Sequence, residues 1–182
     1  MSIENNITIT FPDGNKKKYQ KGITGIQVAE SIAKSLAKDA IAVSINGIQK
    51  DLCDEINSDS NISIITVNTD EGLEIMRHTL TAQVLARAVK NIYPNAKLAI
   101  GPTIDNGFYY DVYFEKPISS EDLPKIEKEM SKIISNGSSI KKSIYNKKDV
   151  IKLFNDRDEK YKIDIINNSD QLDNFQIYSQ DG

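Results

Sequence analysis

The sequence predicts an α+β protein of two domains. Three observations predict it. Alternating β-branched runs, broken by turn residues, fill positions 1–67. A polar break, Asn68-Thr69-Asp70, follows. From 71 to 182, one long helical periodicity precedes a mixture of strand and helix patterns.

In the first part, ITITF (7–11) alternates as a half-buried strand does. Pro12-Asp13-Gly14-Asn15 is a turn, because proline presets φ and glycine accepts a positive one. A second strand near Lys16–Tyr19 completes a hairpin. Thr24 caps a helix in which Ile26, Val28, Ala29, Ile32, Ala33 and Leu36 share one face. AIAVSI (40–45) is a strand, Asn46-Gly47 a strong hairpin turn, and NISIITV (61–67) a further strand. Hairpin, helix, hairpin and closing strand is the order of a small β-grasp (ubiquitin-like) domain. Cys53 is expected as a small buried hydrophobe within it.

In the second part, Leu73, Met76, Leu80, Val84, Leu85, Ala88, Val89 and Ile92 mark a helix from about Glu71 to Tyr93. Pro94 ends it, since the residue before a proline is pushed out of the α region. KLAIGPTIDNGFYYDVYF (97–114) predicts two strands joined through a glycine-containing turn, with Asp105-Asn106-Gly107 serving structure rather than catalysis. Ser119 and Asp122 stand at capping-box spacing. They open a helix carrying Leu123, Ile126, Met130, Ile133 and Ile134, which Asn136-Gly137 ends. A strand near Ile140–Tyr145, a helix from about Lys147 to Asn155, and strands near Lys162–Ile166 and Phe175–Tyr178 follow. The expectation is an α+β domain with helices packed on a mostly antiparallel sheet.

Composition excludes several classes. Hydrophobic content of 39% and charged content of 27% suit a globular protein. No apolar run approaches the roughly 20 residues that span a bilayer. Met1-Ser2-Ile3-Glu4-Asn5 lacks the basic and apolar regions of a secretory signal. Cys53 is the only cysteine, which rules out an internal disulfide and suits the cytoplasm. With a single histidine beside it, no four-ligand zinc site is expected within the chain. A net charge of −3 argues against a general nucleic-acid coat without excluding a local basic face, and neither DNA nor membrane is an expected partner. Lysines nevertheless cluster at Lys16, Lys17, Lys18 and Lys21, and at Lys141, Lys142, Lys147, Lys148 and Lys152. The bland reading is two solvated faces, in a chain whose heavy use of Ile, Asn and Lys suits AT-rich codon usage.

Three stretches carry a resemblance. ITITFPDG with ITGIQVAESI resembles a TGS domain, shared by threonyl-tRNA synthetases, stringent-response nucleotide synthetases and some GTPases. EIMRHTLTAQVLARAVKNIYPNAKLAIGPTIDNGFYYDV (74–112) resembles the start of the editing domain of threonyl-tRNA synthetases. RDEKYKIDII (157–166) is similar to the glycine-glutamate-x-tyrosine-lysine region of that domain, with Asp158 where many relatives have glycine. Their order and spacing point to threonyl-tRNA synthetases rather than to other TGS proteins. The resemblance implies a TGS domain over 1–67 and an editing-type domain, C-terminally truncated, over 71–182. It also implies an enzyme that joins threonine to tRNA(Thr) with ATP and hydrolyses serine wrongly attached to it. Serine lacks one methyl of threonine, and such a difference in a pocket is worth only about 1–3 kcal/mol, so a second hydrolytic site has a purpose.

Members of that family carry a His-x-x-x-His pair early in the long helix. Four-residue spacing puts both imidazoles on one face, about 40° apart, where they can hold a water and move protons near neutral pH. Here only His78 is present. The family's first histidine precedes an alanine by nine positions, whereas His78 to Ala88 is ten. Aligned on the helix tail, Thr79 and Gln83 take the two histidine positions; aligned on His78, Ala82 takes the second. His78 and Gln83 lie roughly 140° apart on an α-helix unless a π-bulge absorbs the extra residue. The resemblance implies His78 as the catalytic residue and Gln83, Tyr110 and Lys162 as substrate-binding residues. Lys162 would be a cation for the terminal phosphate or ribose of tRNA. The competing structural readings are an exposed or capping histidine, a sheet-core aromatic and a surface lysine.

No metal is expected in this chain. The resemblance implies ATP, magnesium and zinc for an aminoacylation core, and places that core beyond Gly182. It places there too an aspartate-leucine-cysteine-x-glycine-proline-histidine motif that completes the editing pocket, so the piece is not expected to edit by itself. The implied partner is tRNA(Thr). The family dimerises through its core, which implies a homodimer for the whole protein and a monomer for this piece. Two alternatives stand beside the enzyme reading. One is a non-catalytic RNA-binding or regulatory TGS-containing module. The other is a nucleotide-synthetase-type regulator, which residues 74–112 speak against.

Overall fold

A computed structural model describes residues 5–180. The chain divides into two compact units, Met1–Met76 and Arg77–Gly182. The division falls inside a helix rather than in the polar stretch at 68–70.

The first unit opens with a hairpin of β1 (Asn6–Thr10) and β2 (Lys16–Gln20). Its turn is held by Phe11 N–H donating to Asn15 O, with Gly14 at φ 83°. β3 (Ile23–Thr24), α1 (Gly25–Ile32), α2 (Lys34–Asp39), β4 (Ala40–Ile45), β5 (Ile48–Lys50), β6 (Glu55–Ile56) and β7 (Ser60–Thr66) follow. The main sheet has the order β2-β1-β7-β4-β5. Within it β1 and β7 run parallel and the other pairings are antiparallel, which is the expected β-grasp arrangement. Asn46 at φ 52° and Gly47 at φ 80° make the β4–β5 turn, both left-handed as a type I′ turn requires. Ile9, Val28, Val43 and Ile56 are fully buried between sheet and helix. A Cβ on Gly25 would come within 2.8 Å of Val43 Cγ1, so the helix starts on a glycine because the sheet lies against it.

Two expectations are corrected in this unit. The single helix expected through Leu36 is broken at Ala33, which is extended at φ −160°. Only Gly25, Val28 and Ala29 of α1 are buried, and Ile32 is exposed, so the apolar stripe that suggested one helix is not used as one face. Just before the break, Ser31 Oγ donates to Val28 O and meets Tyr19 Oη at 2.7 Å, drawing the last turn toward β2. Cys53 is exposed rather than buried, because it lies in the turn between β5 and β6 and not on a strand face.

α3 (Asp70–Thr79) leads into the second unit. A π-helical turn, Leu80–Leu85, follows, and α4 (Ala86–Ile92) completes the long helix before Pro94. In the π turn Ala86 N–H reaches back five residues to Thr81 O. Thr81 is fully buried, and its hydroxyl donates to Arg77 O at 2.7 Å where the ladder changes pitch. The extra residue between His78 and Ala88 is therefore accommodated as a π-bulge.

The 97–114 region is an irregular two-armed ribbon. β8 (Lys97–Leu98) pairs with β11 (Val112–Tyr113), and β9 (Thr103–Ile104) with β10 (Gly107–Phe108). Between them Ala99 N–H donates to Asp111 O and Asp111 N–H to Ile100 O, so the arms stay together where Gly101-Pro102 interrupts the strand. A 3-10 turn, Ser120–Asp122, is opened by the Ser119–Asp122 capping box and leads into α5 (Leu123–Asn136). Gly137 ends α5 in the left-handed region at φ 64°. β12 (Ile140–Tyr145), α6 (Lys147–Asp156), α7 (Lys160–Asn167) and β13 (Phe175–Gln180) follow, with β12 and β13 antiparallel. The core of this unit gathers Val84, Ala88 and Val89 against Leu98, Ile126 and Ile133.

The strand expected at Lys162–Ile166 is α7 instead. Tyr161, Ile163 and Ile165 alternate like a strand, but Ile166 is the buried residue and Ile165 is exposed. Glu159 O accepts from both Lys162 and Ile163 N–H, which nucleates the helix and overrides the alternation.

Candidate functional site

Within the second unit, one cleft of 670 Å³ gathers side chains from several elements. The π turn and α4 contribute Ala82, Gln83, Ala86, Arg87 and Lys90. Tyr110 enters from the ribbon. Arg157, Glu159 and Lys162 come from the end of α6 and the start of α7. Residues 176–180 of β13 form a further wall. Chain segments far apart in sequence thus meet around one concavity, the usual form of a ligand site.

Its polar groups are unevenly paired. Glu159 is 6% exposed; its Oε1 lies 2.8 Å from Lys90 Nζ, which also donates to Ala96 O. Glu159 Oε2 is buried without a hydrogen-bond partner, as is Gln180 Oε1. Arg87 Nη1 donates to Gln180 O at 3.4 Å. Burial lowers the pKa of Lys162, an effect that Glu159 opposes and Lys90 reinforces. Burial, with the charge of Glu159 second, raises the Tyr110 phenol. Beside the cleft, Asp158 holds a left-handed φ of 53°, and both its carboxylate and its carbonyl accept from Lys97 Nζ.

The TGS domain family matches residues 7–66. Over 174 residues, 96% of the chain, the sequence is 44% identical to the threonine–tRNA ligase of Francisella philomiragia. It is 43% identical over the same share to that of Acetivibrio thermocellus, and 42% to that of Rhizobium johnstonii. The chain matches the N-terminal region of threonine–tRNA ligases. It spans 26–27% of the length of these relatives.

Of the four residues that the resemblance to threonine–tRNA ligases singled out, the structure brings three together. Gln83, Tyr110 and Lys162 all line the cleft. His78 does not; it is exposed on α3, and among the described residues the cleft contains no imidazole. The π turn narrows the roughly 140° between the two positions without bringing His78 into the cleft. Gln83 follows three π-type steps that turn less per residue than an α-helix, and it faces the cleft while His78 faces solvent. Sequence reasoning missed Glu159, Lys90, Arg87 and Gln180. The glutamate of the 157–166 stretch was the available signal, since a motif glutamate next to a pocket lysine invites a charge partner.

Among the described residues, one group could share a cation: Asp51, Cys53 and Asp54. It has no histidine, and its cysteine is exposed on a turn, which does not fit a structural zinc site. Among the described residues no helix is long and apolar enough to cross a membrane.

Proposed function

We propose that the protein is the tRNA-handling N-terminal part of a cytoplasmic threonine–tRNA ligase, with the TGS domain at 1–67 and an editing-type domain at 71–182. In this reading the cleft receives the aminoacylated 3′ end of tRNA(Thr). The observation that carries it is the convergence of Gln83, Tyr110 and Lys162 on one cleft, in a chain 40–44% identical to such ligases over 96% of its length. Lys162 and Arg87 offer charge to phosphate, Tyr110 offers a ring face and a hydroxyl, and Gln83 offers a neutral donor and acceptor. Joining threonine to tRNA with ATP, magnesium and zinc belongs to the whole protein, and the cleft has no part in it.

The 182-residue polypeptide is proposed to bind seryl-tRNA(Thr) without hydrolysing it. Gln83 cannot exchange a proton near pH 7, and Glu159 is tied to Lys90. The absence of an imidazole from the cleft also favours, as a second reading, a purely RNA-binding module. Incubating the purified chain with seryl-tRNA(Thr) separates these outcomes. Binding without deacylation supports the proposal. Turnover well above the uncatalysed rate removes the inactive-cleft claim, and no competition by tRNA 3′-end fragments removes the cleft from the binding surface.

A further inference from the structure

Glu159 is the only buried acidic residue among the described residues, and half of its carboxylate is unused. Oε1 is held by Lys90, whereas Oε2 is buried without a hydrogen-bond partner, and Glu159 itself lines the cleft. A buried charged acceptor left without a donor is costly, and native structures rarely keep one unless a water, an ion or a ligand completes it.

The lining restricts the chemistry of that ligand. Arg87, Lys90, Arg157 and Lys162 line the same cleft, and among the described residues Glu159 is the one acid that does. Such a wall favours a hydrogen-bond donor on a molecule that also carries anionic charge. Lys162 stands one turn along α7 from Glu159, and its ammonium makes no hydrogen bond or ion pair among the described residues. An unused acceptor beside an unused cation matches a sugar hydroxyl next to a phosphodiester. Carboxylates take ribose hydroxyls in dinucleotide sites by this chemistry, and the 2′-hydroxyl is what separates RNA from DNA.

We infer that Glu159 Oε2 accepts a hydrogen bond from the 2′-hydroxyl of the terminal ribose, so that Glu159 is the residue by which the cleft selects ribose over deoxyribose. The inference rests on reading the cleft as the site of the tRNA 3′ end. Lys90 is then a positioning residue, holding Oε1 and leaving Oε2 turned to the ligand.

The test uses the whole 182-residue chain and a fluorescently labelled CpCpA trinucleotide, compared at low salt with the same trinucleotide ending in 2′-deoxyadenosine. The wild-type chain is expected to bind the ribose end about tenfold more tightly, the value of one hydrogen bond to a charged group. Glu159→Gln, whose amide can give Lys90 its oxygen and turn NH2 toward the cleft, is expected to bind both ends equally and at the weaker level. Equal wild-type affinity for the two ends, or an undiminished preference in Glu159→Gln, overturns the inference while leaving the cleft reading intact. No binding of either trinucleotide overturns the cleft reading, and the inference with it. Should Glu159→Gln fail to fold, the wild-type comparison alone decides.

Discussion

Gly101 lies flat against the ring of Tyr110. A Cβ at position 101 would come within 1.9 Å of Tyr110 Cδ2 and 2.7 Å of the Thr81 methyl. The glycine is needed here for space, since its φ is not left-handed, and it lets a ring of the cleft wall rest on the ribbon behind it. Gly101→Ala is therefore expected to displace Tyr110 and to cost about 1–3 kcal/mol, the usual range for overpacking. Gly107 in the same ribbon has nothing within 4 Å of its hypothetical Cβ. Gly107→Ala should stay within about 0.5 kcal/mol of wild type in the same urea titration, a surface substitution away from special features. Equal losses in the two variants would show that the Gly101–Tyr110 contact is not what the ribbon depends on.

Lys162 carries a stability cost that depends on pH. Its pKa is lowered from 10.5, chiefly by burial. A lysine whose folded pKa is depressed is penalised in the folded state while protonated. The penalty is complete below the folded pKa and disappears as pH rises from there through 10.5, where the side chain is neutral in both states. Lys162→Met should stabilise the chain by about 1 kcal/mol at pH 7, because a poorly compensated buried charge is removed. The gain should shrink steadily when the urea melts are repeated toward pH 10.5. The same variant should weaken RNA 3′-end binding, a trade of function against stability. A gain independent of pH would point to packing rather than charge.

Asp158 occupies a backbone position suited to glycine. Its φ of 53° explains why glycine is common there in the family that the sequence resembles. Asp158→Gly should change stability little at neutral pH, since relief of the left-handed backbone offsets the lost contact with Lys97. Asp158→Val should be clearly destabilised, by about 1–2 kcal/mol from the backbone alone. The hydrogen bond from Lys97 holds the Asp158 carboxyl below 3.8, so its contribution is present above that pH and is lost as pH falls through the lower folded value. Acid titrations of wild type and Asp158→Gly should accordingly diverge below pH 3.8, the wild type losing the pair with Lys97 and the glycine variant becoming the more stable of the two. Curves that remain parallel there would show that the pair with Lys97 contributes nothing.

How much of the molecule is legible in the sequence depends on how local the cause is. The β-grasp unit is readable because alternation and turns such as Asn46-Gly47 are decided within a few residues. The π turn leaves a trace as well, in the ten positions from His78 to Ala88. α7 reads as a strand because Tyr161, Ile163 and Ile165 alternate, and the competing helical face at Ile166 shows only once something packs on it. Glu159 gives no signal of burial, being one of 26 acidic residues, and it meets Lys90 only through the tertiary fold. Cys53 is opaque for the same reason: whether a cysteine lies on a strand face or a turn is settled by the register of β5 and β6, which its neighbours do not fix.

Gln83 is where a single substitution can test what the cleft lacks. It lines the cavity, and alignment on the helix tail gives it one of the two histidine positions of the family that the sequence resembles. Gln83→His places a group with an ordinary pKa of about 6.5 beside Tyr110 and Lys162. If the rest of the wall already positions a seryl ester, that variant should raise deacylation of seryl-tRNA(Thr) at least tenfold, a modest part of the usual range for general acid–base catalysis. The rate should climb as pH rises through the pKa of the imidazole, because only the neutral form accepts a proton. The cationic wall of Arg87, Lys90, Arg157 and Lys162 opposes protonation, so the midpoint should fall below the ordinary value, not above it. A pH profile displaced upward would mean that Glu159 governs the imidazole's surroundings. No gain at any pH would show that positioning, and not the missing base, is what keeps the cleft silent.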